Sequence, residues 1–196
     1  MLYHFNDNQI IDKFNIQPVD YWLNSYGGCR TNYIENSLSE KYKIKNQIYL
    51  DKGCHYIKPL KVNVKAGIFC FIDDVGIALT SQIQRGFYHN YLKARQVIDK
   101  EDVTIENWLE LIDKQIDYWT TNLPIDVYII NTDHIHETKE QFFNIFGVEL
   151  KDFKQRETCE YHPTLKNHIN MILKINNKQQ QLPKFQLISK SMESNK

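Results

Sequence analysis

The chain has 196 residues, of which 42% are apolar and 13% aromatic, and its 24 basic residues balance its 24 acidic ones. This length and composition suit one globular domain with a sizeable core and argue against intrinsic disorder. A formal net charge of zero excludes a protein-wide basic field that would draw the chain to nucleic acid or to an anionic membrane, so any anion site must be local.

The middle of the chain alternates strands and helices. Four segments predict strands: about 20–24, 47–50, 66–72 and 125–130. Four segments predict helices: 31–42, 75–96, 106–120 and 133–146. Alternation of this kind implies right-handed βαβ crossovers, and therefore an α/β fold with a mainly parallel sheet flanked by helices.

The two ends of the chain predict less order. Residues 1–17 are polar with a few aromatics and predict a lead-in strand or a loosely held arm. Residues 176–196 are rich in Asn, Gln, Lys and Ser and predict a polar, partly disordered tail. A single domain is therefore expected over residues 1–175.

Nothing in the sequence indicates export or a membrane span. We see no basic stretch followed by an apolar run, as in a secretory signal, and no apolar run long enough for a transmembrane helix. The four cysteines form no CxxC pair and no zinc pattern: Cys29, Cys54, Cys70 and Cys159. A cytoplasmic protein with reduced thiols and no metal site is expected.

The turn after the first strand has the features of an anion site. Gly27 and Gly28 can adopt positive φ and let a phosphate approach the backbone. Arg30 adds a fixed charge with bidentate geometry, and Thr31 and Asn32 add side-chain donors. A helix N-terminus that follows such a turn adds backbone N–H groups and partial positive charge. The same residues also suit an ordinary tight strand-to-helix turn.

A second polar pair, Asp73 and Asp74, follows the apolar run 66–72. Because the carboxyl ends of parallel strands meet at one edge of a sheet, we expect this pair to lie near the glycine turn. The carboxylates suit magnesium in a nucleotide hydrolase or kinase, but the turn lacks the lysine of the G-x-x-x-x-G-K-[ST] motif. The other interpretation is a helix N-cap, for which Asp74 is better placed.

The segment from Gly27 to Tyr33, with the letters G-G-C-R-T-N-Y, resembles the phosphosulfate-binding loop of P-loop sulfotransferases. In that family a strand ends in a pattern like P-K-S-G-T-T/N-W/Y and leads into a helix. Gly28 stands where the family usually has Lys, and Arg30 where it usually has Gly. The resemblance implies that Gly27, Gly28, Cys29, Arg30, Thr31 and Asn32 bind the 5′ side of 3′-phosphoadenylyl sulfate (PAPS).

Residues 71–81 resemble the family's 3′-phosphate-binding segment, which reads roughly Y-I-x-R-N/D-P-x-D-V-A-V-S. Asp74 and Ser81 keep the spacing, whereas the family's Arg falls on Asp73. Arg85 lies one helical turn beyond Ser81 and can partly compensate. The resemblance implies that Asp74, Ser81 and Arg85 contact the 3′ side of the nucleotide.

Three further segments fit the family. Cys54-His55-Tyr56 resembles its K-T-H-x-P segment, and residues 146–150 resemble a late F-L-G-hydrophobic pattern. Residues 151–168 match a basic segment that covers the nucleotide in the family. Lys154 and Arg156 are expected to reach back towards the glycine turn.

The resemblance implies a three-layer P-loop-like sulfotransferase that moves a sulfuryl group from PAPS to a hydroxyl or amine of an unidentified acceptor, such as a carbohydrate. Transfer needs a base and positive charge at the leaving phosphate. His55, whose ordinary pKa suits the task, and Glu35 are the candidate bases. Two alternatives stay open: a catalytically degenerate P-loop-like module that binds an anion or a partner, and a nucleotide hydrolase or kinase.

Overall fold

The computed structural model describes residues 7–45, 56–86, 104–150 and 159–191. The helices in these ranges are α1 (Asp7–Ile16), α2 (Thr31–Leu38), α3 (Val75–Gln84), α4 (Ile105–Thr120), α5 (Lys139–Phe146) and α6 (Ile169–Gln179). The strands are β1 (Tyr21–Ser25), β2 (Ile44–Lys45), β3 (Ala66–Phe71), β4 (Val127–Asn131) and β5 (Phe185–Ile188). Two 3₁₀ turns cover Thr132–His134 and Pro163–His168.

The described strands form one sheet in the order β2-β1-β3-β4-β5. The first four strands in this order run parallel to one another, and β5 runs antiparallel to β4. The strands predicted to be central, β1, β3 and β4, are adjacent in this sheet. The predicted α/β class and mainly parallel sheet are therefore confirmed.

Both faces of the sheet are covered, because every residue of β1 and β3 is buried and successive strand residues point to opposite faces. Trp22 contacts Phe14 of α1 and Trp119 of α4, with ring centroids 4.9 and 5.1 Å apart. Tyr21, which points to the other face, contacts Phe146 of α5 at 5.4 Å. A continuous apolar run such as β3 is typical of a strand buried in this way.

The order of the strands creates a topological switch point at one edge of the sheet. From β1 the chain first adds β2 on one side and then returns to add β3 on the other side. Parallel sheets bind ligands at such a switch point, outside the carboxyl ends of the diverging strands. Here that position lies between the turn after β1, residues 26–30, and the segment after β3, residues 72–74.

At the amino-terminal end, the predicted lead-in strand or loose arm is wrong, because residues 7–16 form α1. Ile10 and Phe14, one helical turn apart, are both buried in the core. At the other end, the structure differs from the predicted polar tail. Residues 176–179 complete α6, and residues 185–188 form edge strand β5, whose Phe185 is buried.

Three predicted helices are shorter than expected. The helix predicted over 31–42 ends at Leu38. The helix predicted over 75–96 ends at Gln84, and Gly86 follows with a left-handed φ of 69°. The helix predicted from 133 begins at Lys139, because residues 132–134 form a 3₁₀ turn in which the Asp133 backbone N–H donates to the Asn131 side chain. The predicted strand at 47–50 lies outside the described residues. No helix in the described ranges is long and apolar enough to cross a membrane.

Candidate functional site

The turn between β1 and α2 has an unusual backbone. Gly27, Gly28 and Arg30 all have positive φ, at 93°, 70° and 56°. Arg30 is also the N-cap residue of α2, and it forms no side-chain cap hydrogen bond there. The turn thereby directs the N-terminus of α2, the positive end of its dipole, to the carboxyl edge of the sheet.

Gly28 packs directly against α3. A Cβ atom added to Gly28 would lie 2.8 Å from the carbonyl oxygen of Ala78 and 2.9 Å from its Cα. Packing alone therefore explains a glycine at this position, because any side chain would push the turn away from the helix backbone. The phosphate contact that the sequence predicts for Gly28 stays a prediction.

Cys29 faces the protein interior. Its side chain is fully buried, and its thiol donates to the Gly27 carbonyl at 3.2 Å. The Cys29 carbonyl lies 3.1 Å from the hydroxyl of Thr132, which is also 3.2 Å from the Phe71 carbonyl. A single hydroxyl after β4 therefore links the glycine turn to the end of β3.

The remaining residues of the turn differ in their access to solvent. The Thr31 side chain is buried, and its hydroxyl pairs with that of Ser25 at 3.3 Å. Arg30 is half-buried and Asn32 is exposed. Arg30 and Asn32 are thus the side chains of the predicted anion site that are open to solvent at this edge.

Asp74 caps α3, which confirms the N-cap interpretation. Its carboxylate accepts hydrogen bonds from the Gly76 amide at 2.9 Å, the Asn176 amide group at 3.0 Å and the Tyr161 hydroxyl at 2.7 Å. Burial and the hydrogen bond to Asp74 raise the pKa of Tyr161. Three donors thus occupy the Asp74 carboxylate, and its predicted role at the 3′ side of a nucleotide stays a prediction.

Asp73 belongs to a different network, which faces β4. One carboxylate oxygen accepts from the Asn131 side chain at 2.6 Å, and the other lies 2.7 Å from Nε2 of His134. The Asp73 backbone N–H donates to Asp133 at 3.1 Å. Protein donors therefore engage both carboxylates of the Asp73-Asp74 pair. In the described parts of the chain, no group of three or more His, Cys, Asp and Glu residues could hold a metal ion.

The Asp73 network continues to the edge of the sheet. His134 Nδ1 lies 2.7 Å from Glu137, whose second carboxylate oxygen pairs with Lys184 at 2.5 Å. We call the four residues Asp73, His134, Glu137 and Lys184 the rim chain. Lys184 immediately precedes β5, and its carbonyl accepts from the Asn131 backbone N–H at 2.7 Å. The rim chain thus connects the ends of β3 and β4 to the start of β5.

Charges alternate along the rim chain and shift two pKa values. Burial opposes protonation of His134, but hydrogen bonds to Glu137 and Asp73 outweigh it and raise the pKa of His134 above its usual value. Hydrogen bonds from Lys184 and His134 lower the pKa of Glu137 to about 2. Both shifts favour an imidazolium held between two carboxylates.

Three members of the rim chain were not predicted from the sequence: His134, Glu137 and Lys184. The signal for the first of them was present, because Asn131-Thr132-Asp133-His134 is a polar run directly after a buried strand, like Asp73-Asp74. A polar run directly after a buried strand is therefore the sequence signal for this part of the site. The partnership with Lys184 depends on the antiparallel edge strand, which the sequence did not predict.

Ser81 and Arg85 lie farther along α3. Ser81 is half-buried about 9 Å along the helix axis from Val75, and Arg85 is exposed, with its Nε donating to the Ser81 carbonyl at 2.9 Å. Glu35 is half-buried on α2. His55, Lys154 and Arg156 lie outside the described residues.

Buried amides fix the end of β1, which carries the glycine turn. The Tyr56 carbonyl accepts from Asn24, Gln115 and Trp119 at 2.9, 3.1 and 3.2 Å. Gln115 also donates to the Ser25 carbonyl at 3.1 Å. Buried hydrogen bonds of this kind make an edge rigid, so the base of the turn is preformed.

Comparisons of the chain with protein-family models, with curated proteins and with solved structures gave no match.

Proposed function

We propose that the chain is a sulfotransferase-like transferase with a three-layer P-loop-like domain. It binds PAPS at the carboxyl edge of the sheet and transfers the sulfuryl group to a hydroxyl or amine acceptor. One observation carries the proposal: the left-handed turn Gly27–Arg30 joins β1 to the N-terminus of α2 at the β1/β3 switch point. Switch points and helix N-termini are where α/β proteins hold anionic ligands.

Arg30 is the residue that fits a phosphate at this turn. It occupies the N-cap position of α2, so its side chain extends from the residue at the positive end of the helix dipole. A guanidinium offers bidentate hydrogen bonds to phosphate oxygens. Gly28 is packed against Ala78, so we assign the phosphate to the Arg30 side of the turn.

The carboxylates of Asp73 and Asp74 are compatible with an anion bound nearby, because protein groups already pair with each of them. His134 contacts Asp73 at 2.7 Å, and its raised pKa favours the positive form. Asp74 is occupied by its three donors at the start of α3. Pairing of this kind reduces the repulsion that two bare carboxylates would exert on a phosphate.

In the proposed reaction, an acceptor oxygen or nitrogen forms a bond to sulfur while the bond from sulfur to the phosphate oxygen breaks. Arg30 would stabilise the charge on the leaving phosphate. Glu35, half-buried on α2, is the described candidate to take the acceptor's proton. His55 is the other candidate, from the sequence alone.

The second candidate function is a catalytically degenerate module that binds an anion or a partner. The observation that favours it is the position of Gly28, where the resembled family has its phosphate-binding lysine. Close contact with Ala78 also leaves no room for a lysine side chain in the present geometry of the turn. Such a module would share the fold without the chemistry.

Titration calorimetry of the full chain distinguishes these functions. The sulfotransferase-like proposal predicts binding of 3′-phosphoadenosine 5′-phosphate without metal, and PAPS turnover with a suitable acceptor. Binding of the bisphosphate without turnover across a panel of hydroxyl and amine acceptors favours the degenerate module. Binding of ATP only with magnesium supports a nucleotide hydrolase or kinase. A folded sample that binds neither nucleotide overturns the proposal.

A further inference from the structure

His134 lies between two carboxylates that belong to different parts of the fold. Its Nε2 contacts Asp73, which follows β3, and its Nδ1 contacts Glu137, which precedes α5, both at 2.7 Å. Glu137 in turn holds Lys184 at the start of β5. The imidazole is thus the central member of a chain that runs from the middle of the sheet to its edge.

Both contacts require the charged form of the ring. An imidazolium donates from both nitrogens, whereas a neutral imidazole donates from one nitrogen and presents a lone pair at the other. In the neutral form, one of the two carboxylates would face that lone pair. Loss of a single proton therefore breaks the chain at His134.

We propose that His134 is a protonation-dependent clasp that, in its charged form, ties edge strand β5 to the end of β3. Deprotonation leaves β5 attached through its pairing with β4 but removes the side-chain connection from β5 to the end of β3. The proposal concerns the rim itself and does not depend on which ligand the protein binds.

The charged groups around His134 act on its protonation in both directions, and the two carboxylates dominate. Asp73 and Glu137 favour its protonation, and Lys184 opposes it from β5. Asp133 lies next to it in the chain and accepts from the Asp73 backbone N–H. Because the two contacting carboxylates outweigh burial and Lys184, the pKa of His134 is raised, and the clasp stays closed to a higher pH than an ordinary imidazole would allow.

The edge position of β5 makes its release measurable. An outer strand pairs with a neighbour on one side only, so its amides report local opening. Four residues of β5 pair with β4, from Phe185 opposite Ile130 to Ile188 opposite Val127. Hydrogen exchange of the β5 amides, corrected for the intrinsic base catalysis of exchange, gives the opening equilibrium at each pH.

The test compares exchange between about pH 6 and pH 9 in the parent and three variants. His134→Gln removes the titrating ring, and Lys184→Gln cuts the last link while leaving His134 between its carboxylates. Lys190→Gln is the matched control. Lys190 is an exposed lysine just past the other end of β5, where the parallel strands begin. Ring-nitrogen NMR of His134 reports its protonation in the same samples.

In the parent and in Lys190→Gln, we expect β5 opening to increase about tenfold as His134 deprotonates, which is the scale of one hydrogen bond. In His134→Gln and Lys184→Gln, we expect more opening at low pH and no such step. If His134→Gln does not fold, the exchange of Lys184→Gln and the ring-nitrogen NMR of the parent still test the proposal. A step that persists in Lys184→Gln, or a parent whose His134 titrates with no change in β5, would overturn the proposal.

Discussion

Gly28 and Ala78 meet backbone to backbone, so that a methyl group on Gly28 would lie 2.8 Å from the Ala78 carbonyl oxygen. Ala78 lies in the first half of α3, whose N-terminus is capped by Asp74. The contact therefore fixes the glycine turn relative to the second element of the candidate site. Internal packing and any ligand both depend on the same four-residue turn.

Gly28→Ala should lower the free energy of unfolding by about 2–4 kcal/mol, because it adds left-handed strain and a backbone clash. The matched control is Gly86→Ala. Gly86 has a similar φ of 69° but nothing within 4 Å of an added Cβ, so only the strain of about 1 kcal/mol applies. Urea titration measures both variants. Equal losses would contradict the assigned contact.

Asp74→Ala should destabilise the protein more than removal of an isolated helix cap. The variant loses the cap of α3 and leaves Tyr161 and Asn176 without their acceptor, which together cost about 2–4 kcal/mol. Thr104→Ala, which removes the cap of α4, should cost about 1 kcal/mol. Thermal or urea unfolding compares them. If Asp74→Ala cost no more than Thr104→Ala, Asp74 would not have the structural role described here.

Glu137 should contribute to the acid sensitivity of the fold. Its pKa is lowered from 4.5 to about 2, mainly by the hydrogen bond from Lys184 and next by that from His134. The native state therefore stabilises the ionised carboxylate more than the unfolded state does. Its contribution to stability is thus fully present above about pH 4.5 and is lost as the pH falls towards 2.

Between pH 4.5 and pH 2, Glu137→Gln should therefore lose less stability than the parent. Glu149→Gln, at an exposed carboxylate on the segment after α5, should follow the parent. Urea unfolding at a series of pH values measures the three slopes. Identical slopes for Glu137→Gln and the parent would show that the rim chain does not lower the pKa of this group.

The sequence predicts the central sheet well because the central strands are buried on both faces. Residues 66–71 are continuously apolar, and a strand of that kind is recognisable without knowledge of its neighbours. The elements at the periphery gave weaker patterns. Of the four residues of β5, Phe185 alone is buried, and α1 contributes Ile10 and Phe14 to the core from an otherwise polar segment.

The candidate site was predictable only in part, because its two kinds of contact differ in range. The glycine turn and the Asp74 cap are local features, visible within a few residues of sequence. The rim chain joins residues that are 61 and 47 positions apart, for Asp73 with His134 and for Glu137 with Lys184. Pairs of that kind depend on strand order, which the pattern of one sequence does not specify.

The binding of 3′-phosphoadenosine 5′-phosphate to the parent and to Arg30→Ala is the most direct test of the proposed function. Arg30 stands at the N-cap of α2 in the glycine turn, and its removal should weaken binding by about 1.5–3 kcal/mol, the scale of a hydrogen bond to a charged group. Ser81→Ala should weaken binding less. Lys190→Ala, near the amino-terminal ends of the parallel strands and away from the glycine turn, should bind like the parent. Bisphosphate binding that Arg30→Ala leaves unchanged would contradict the placement of the phosphate, and a folded parent that does not bind it at all would contradict the proposed function.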